Sequence, residues 1–134
     1  MDLKQLIEKL YILEQQEKLF IAEYTNEAEE QLLSLEDIYY DRITTAIKTF
    51  ELIGTKYKNI NDLGNGLFEI KPKDVRAYFK YHPDRRRIII IGFVCLKKSQ
   101  KAPRQNIKQA HKNIQNYIQG EQNDNKWWHD STSL

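Results

Sequence analysis

The chain opens on a helical pattern of apolar positions, Leu3, Leu6, Ile7, Leu10 and Tyr11, with polar residues between them. Such a stripe follows the 3.6-residue turn and predicts an amphipathic helix over residues 2–18. The next stretch, Leu19-Phe20-Ile21-Ala22-Glu23-Tyr24, is short, apolar and aromatic. It reads either as a strand or as a continuation of the helix. Asn26 with Glu29 three residues on has the form of a capping box, and Ser34 with Asp37 repeats it. Each pair opens a helix. The second has Leu35, Ile38, Tyr39, Ile43, Ala46, Ile47 and Phe50 on one face and Gly54 as its stop. The two are expected to form a helical hairpin.

After the turn signal Gly64-Asn65-Gly66 the pattern becomes extended. Leu67 to Lys71 predicts one strand and Val75 to Tyr81 a second. His82-Pro83-Asp84-Arg85 is turn chemistry, with proline presetting φ. Arg87 to Leu96 predicts a third strand, apolar on both faces and so central and covered on both sides. Pro103 suits the start of a last helix, whose buried stripe is Ile107, Ala110, Ile114, Tyr117 and Ile118 and whose end is Gly120. Helices followed by an antiparallel meander and a helix give one α+β domain over residues 1–120. Its sheet has three to four strands, a helical hairpin packs on one face, and residues 121–134 form a polar tail containing Trp127-Trp128.

A length of 134 residues with 40 % hydrophobic and 30 % charged composition fits one soluble domain. The single cysteine, Cys95, excludes an internal disulfide. No apolar run approaches the ~20 residues of a membrane span, and Met1 to Gln5 lacks the features of a signal peptide. The expectation is therefore a cytoplasmic protein with no membrane partner.

Charge changes the picture most. Residues 1–70 hold 7 lysines and arginines against 14 acids, whereas residues 71–118 hold 13 against 2. This asymmetry points to a polyanionic partner for the basic half, or to pairing between the halves within one molecule. In a meander, the end of the first strand, the start of the second and the end of the third share one edge. Topology alone therefore brings Lys71, Lys73, Arg76, Lys97, Lys98 and Lys101 to one end of the sheet. Clustered cations bind phosphate, and arginine grips it bidentately. RNA cleavage through the 2′-hydroxyl needs a base, positive charge at the pentavalent phosphate and an acid for the leaving oxygen. Lysines crowded together lower one another's pKa, which would make one of them a base near neutral pH. The plainer alternative is a set of solvated strand-end cations.

Three segments carry a resemblance. Gly64-Asn65-Gly66-Leu67-Phe68-Glu69-Ile70-Lys71, Val75-Arg76-Ala77-Tyr78-Phe79, and Ile91 through Lys97-Lys98-Ser99-Gln100-Lys101-Ala102-Pro103 resemble motifs of the RelE/HigB toxins, especially the phage-derived HigB-like branch. The resemblance implies a RelE-like fold and the toxin of a type II toxin–antitoxin pair. It implies an endoribonuclease that cuts mRNA on the translating ribosome, inhibits translation, and needs no metal or cofactor. The partner would be an antitoxin, a small helix-turn-helix protein. Lys71, Arg76, Lys97, Lys98 and Lys101 fall on the family's basic active-site positions. Lys73, Arg104, Lys108 and Tyr78 are expected to contact RNA, although for Tyr78 and Tyr81 packing in the sheet is favoured over stacking on a base. Val75 stands where the motif has an aromatic residue, and the helix over residues 1–18 is extra to the pattern. The competing reading is a non-catalytic module that grips RNA or protein with the same basic patch. His82, His111 and His129 lack metal-ligand spacing; His82 reads as structural, His111 as a surface residue, and Cys95 as core.

Overall fold

The computed structural model describes residues 2–97 and 101–132. In chain order these form α1 (Leu3–Glu17), β1 (Ile21–Tyr24), α2 (Asn26–Leu33), α3 (Asp37–Ile53), a 3-10 turn (Gly54–Lys56), β2 (Ile60–Gly64), β3 (Leu67–Ile70), β4 (Val75–Tyr81), β5 (Ile88–Leu96) and α4 (Arg104–Thr132). None of the described helices is long and apolar enough to cross a membrane. The α+β class stands, but the described sheet has five strands where three to four were expected, in the order β1-β5-β4-β3-β2.

Both added strands lie at the edges. β1 resolves the ambiguity of residues 19–24 by pairing parallel with β5 from Ile21↔Ile88 to Tyr24↔Ile91. The sheet is thus mixed, not purely antiparallel. β2, Ile60-Asn61-Asp62-Leu63-Gly64, is mostly polar and has no apolar run to announce it. The turn recruits it: Asn65 and Gly66 both take positive φ, as a tight hairpin between twisted strands requires. β5 is covered on both faces as its sequence demands, although β4 occupies the sheet's centre.

Two apolar layers flank the sheet. On one face α2 and α3 bury Ala28, Ile43, Ile47 and Phe50 against Ile70, Phe79, Ile89 and Ile91. On the other, α4 buries Ala110 and Ile114 against Leu67, Tyr78 and Ile90. Each fully buried isoleucine contributes roughly 2 kcal/mol through loss of water contact. The helix caps shift slightly from expectation. Thr25, extended and buried, caps α2 by accepting from the Ala28 N–H at 3.1 Å, and Asn26 is already helical. Ser34 closes α2, and Glu36 precedes α3.

The last helix does not stop at Gly120. An internal glycine costs a helix only ~1 kcal/mol relative to alanine, and side-chain bonds on either side offset it. Glu121 accepts from Arg85 at 2.9 Å and contacts His82 Nε2 at 2.7 Å. Tyr117 donates to Glu23 at 2.5 Å, and Arg85 also holds Glu23 through both terminal nitrogens at 2.7 Å. His82 Nδ1 accepts the Asp84 and Arg85 N–H groups, which fixes the turn before β5 and bears out its structural role.

The approach of α4 to the sheet depends on Gly92 in the middle of β5. A Cβ there would lie 2.6 Å from Ile114 Cγ1 and 2.9 Å from the Ala110 carbonyl oxygen. The same contact is secured by Asn113, whose buried amide donates to the Gly92 carbonyl at 2.8 Å. Gly92→Ala is therefore expected to lower stability by about 2 kcal/mol, as overpacking in a tight core does. Urea denaturation monitored by far-UV circular dichroism measures it, and an unchanged midpoint would contradict this packing.

Candidate active site

At the end of the sheet where β4 begins and β5 ends, a cleft of about 440 Å³ opens between the sheet, the α2–α3 corner and the start of α4. The register builds it. Val75 pairs with Leu96 and Arg76 with Cys95, and the Lys97 N–H donates to the Asp74 carbonyl at 2.9 Å. Glu69, Arg76 and Tyr78 come from the α4-facing side of β3 and β4. Lys97, Lys101, Pro103 and Asn106 form the rim, and Gln31 and Ser34 close the other wall.

Arg76 is the most constrained cation of the cleft. Its Nη1 donates to the carbonyls of Pro72 at 2.5 Å and Val75 at 2.8 Å, and its Nε lies 3.9 Å from Glu69 Oε2. Both side chains are largely enclosed, 13 % exposed for Arg76 and 6 % for Glu69. Glu69 also accepts from the Asn61 amide at 3.0 Å, so β2 supports the carboxylate that supports the arginine. The turn before Arg76 is braced from α3: Arg42 reaches the Asp74 carboxylate and the Lys73 carbonyl, each at 3.4 Å. Asp74 itself adopts φ +67°, a left-handed conformation that aspartate tolerates better than most residues.

Two weakly acidic groups lie beside this pair. Burial pushes the Cys95 thiol above its usual range, and the negative Glu69 adds to that rise. Opposing contributions from Tyr78, Arg76 and Asn106 do not reverse it. Burial likewise raises the Tyr78 phenol, with Cys95 and Glu69 contributing. Both therefore stay protonated at neutral pH. Asn106 of α4 donates to Cys95 Sγ at 3.7 Å and ties the helix to the cleft floor.

The sequence-predicted residues divide. Arg76, Lys97 and Lys101 line the cleft. Lys71 is half-buried at the end of β3, where its N–H bonds to the Asn59 carbonyl, and it is not among the lining residues. Lys73 is exposed in the turn, and Arg104 and Lys108 are exposed on α4 outside the lining set. Lys98 lies outside the described residues. Tyr78 lines the cleft but is 1 % exposed and stacks on Phe93 with ring centroids 5.8 Å apart, so packing, not base stacking, occupies its ring. His111 sits apart with Lys80 in a second concavity on α4; burial and the Lys80 charge lower its pKa, leaving it neutral. Among the described residues, no group of three His, Cys, Asp or Glu side chains is placed to hold a metal ion.

Sequence reasoning assigned no role to Glu69, Asn61 or Asn106. Glu69 left a trace: it shares a strand face with Leu67, and an acid at an inward position needs a buried partner. Glu69→Ala removes that partner from Arg76. The expected loss is about 2 kcal/mol, below the ~3–5 kcal/mol of a fully enclosed pair because the cleft admits water. Asn61→Ala, which removes one supporting hydrogen bond, should cost about 1 kcal/mol. Chemical denaturation of both variants checks the order, and equal losses would contradict the proposed support chain.

A family model described as Phage derived protein Gp49-like (DUF891) matches residues 30–115, a span that contains every residue lining the cleft. No curated protein matches the chain. Among solved structures, a similar chain occurs in the crystal structure of the toxin-antitoxin complex RelBE2 from Mycobacterium tuberculosis. It is 19 % identical, with a TM-score of 0.41, covering 58 % of this chain and 98 % of that one. The family match takes in all three motif segments, and the chain belongs to the phage-derived Gp49-like family, the branch of RelE/HigB-type toxins that its sequence resembles.

Proposed function

We propose that this protein is the toxin of a toxin–antitoxin pair and an endoribonuclease that cuts mRNA on the translating ribosome, with the cleft around Arg76 as its active site. The observation that carries the reading is the placement of Arg76, fixed by two carbonyls and Glu69 on the floor of a cleft whose rim holds Lys97 and Lys101. A preorganised guanidinium costs no reorganisation when charge develops on a pentavalent phosphate, the condition under which such groups contribute most to rate. Lys97 and Lys101 would hold the flanking phosphates. Cys95 and Tyr78, kept protonated by burial, supply no nucleophile. Proton transfer to and from the ribose falls to Lys97, Lys98 and Lys101, which the resemblance assigns, whereas Lys71, assigned with them, stands outside the cleft lining and takes no part in that step. Lys73, Arg104 and Lys108, all exposed, extend the phosphate-binding surface. An antitoxin, expected to be a small helix-turn-helix protein, would be the neutralising partner.

The second reading, a module that grips RNA or protein without cutting, draws on the same cleft. Glu69 is committed to Arg76 and Asn61, which removes the one carboxylate of the lining from service as a free base. Cleavage of mRNA on translating ribosomes separates the two readings. Arg76→Lys keeps a positive charge opposite Glu69 but loses the bidentate fork. It is expected to fold as the parent does and to lose cleavage by about a hundredfold. Lys97→Ala with Lys101→Ala should weaken RNA binding and flatten its salt dependence. Full cleavage by Arg76→Lys would remove Arg76 from the active site. RNA binding by the parent chain without any cleavage would favour the second reading.

A further inference from the structure

Helix α1 exposes seven large apolar side chains, Leu3, Leu6, Ile7, Leu10, Tyr11, Ile12 and Leu13, each between 44 % and 72 % accessible. The Asp2–Gln5 capping box fixes where the helix begins. A cap does not stabilise 15 residues in water, however, because isolated helices of that length are marginal without a covered apolar face. The segment that follows the helix is fastened to the body. Lys18 lies 3.8 Å from the buried Glu51 carboxylate, Arg87 donates to the Lys18 and Leu19 carbonyls, and the Leu19 and Phe20 N–H groups donate to the Glu51 carbonyl.

The sequence of α1 indicates what covers it. Leu3, Leu6, Leu10 and Leu13 alternate by three and four residues, the seam spacing of a coiled coil. Lys9 and Glu14 flank that seam on opposite sides, five residues apart. In a parallel pair of helices these flanking positions face each other across the seam. Lys9 of one copy therefore meets Glu14 of the other, twice by symmetry. An antiparallel pair would set Glu14 beside Ile7 instead. The charges of α1 thus complement a second α1 in one orientation. Glu17 takes the next seam position, so the seam closes at Leu13, one turn before each helix joins its own body.

We propose that α1 is the interface of a homodimer in which two copies pair this helix in parallel. The proposal stands apart from the ribonuclease reading. The chain that leaves α1 enters the sheet at Ile21 of β1, opposite Ile88 at the first residue of β5, whereas the cleft lies at the other end of β5 near Leu96 and Lys97. Pairing through α1 leaves both clefts open.

Sedimentation equilibrium of the full chain, up to about 1 mM and so down to the weak end of specific association, tests it. The parent chain is expected to dimerise, and Leu6→Glu with Leu10→Glu to make it monomeric while the thermal midpoint of the body and the RNA affinity of the cleft stay unchanged. Lys9→Glu alone and Glu14→Lys alone should each weaken the dimer about tenfold, and the two together should restore it. A monomeric parent chain overturns the proposal. So does a dimer that survives the double leucine change, or a double charge exchange no tighter than the single ones.

Discussion

The antiparallel ladder between β4 and β5 is the constraint on which the rest depends. It runs from Val75↔Leu96 to Tyr81↔Ile89, with a register shift after Tyr78, and positions both ends of the molecule together. At one end it sets Arg76 opposite Cys95 and brings Lys97 onto the Asp74 carbonyl, which creates the cleft. At the other it delivers His82 and Arg85 to meet Glu23 and Glu121, which fastens α4 and β1. A slip of one residue would turn Arg76 toward the α2–α3 core and Ala77 and Phe79 to the α4 face in exchange. The apolar face of β4 therefore enforces the placement of the arginine.

The opposed charges of the two halves of the chain serve two purposes. Part of the basic segment is paired within the molecule, Arg85 with Glu23 and Glu121 and Arg76 with Glu69. Glu23 shows the effect directly. Burial alone would raise its carboxyl, yet the Arg85 and Tyr117 hydrogen bonds hold it below the usual range. Lys97 and Lys101 stand on the rim of the cleft, at the end of the sheet where the proposed function brings in a polyanion.

Much of this was legible in the sequence, for reasons that can be stated residue by residue. Helical spacing located α1, α3 and the start of α4, because each buries or presents a stripe. The doubly apolar run of β5 announced a strand covered on both faces. Topology alone brought Arg76, Lys97 and Lys101 to one end. What escaped depends on long-range pairing. β2 is too polar to stand out, and only its hairpin partner makes it a strand. β1 is four residues long, and its parallel pairing with β5 joins residues 67 apart. Gly120 looked like a helix stop because the bonds from Arg85 and His82 to Glu121 come from elsewhere in the fold. Lys71 and Lys73 lie near the cleft along the chain but outside its lining, since the side-chain direction at a strand end is set by register and the turn.

The central claim is that the cleft around Arg76 is where RNA phosphates bind. A backbone-amide NMR titration with a short, uncleavable 2′-O-methyl RNA tests it most directly. The account predicts that the largest shifts fall on Arg76, Cys95, Lys97, Lys101 and Asn106 and that affinity drops steeply as salt is added. Shifts centred on residues 82–87 at the opposite end of the sheet, or binding indifferent to salt, would contradict it.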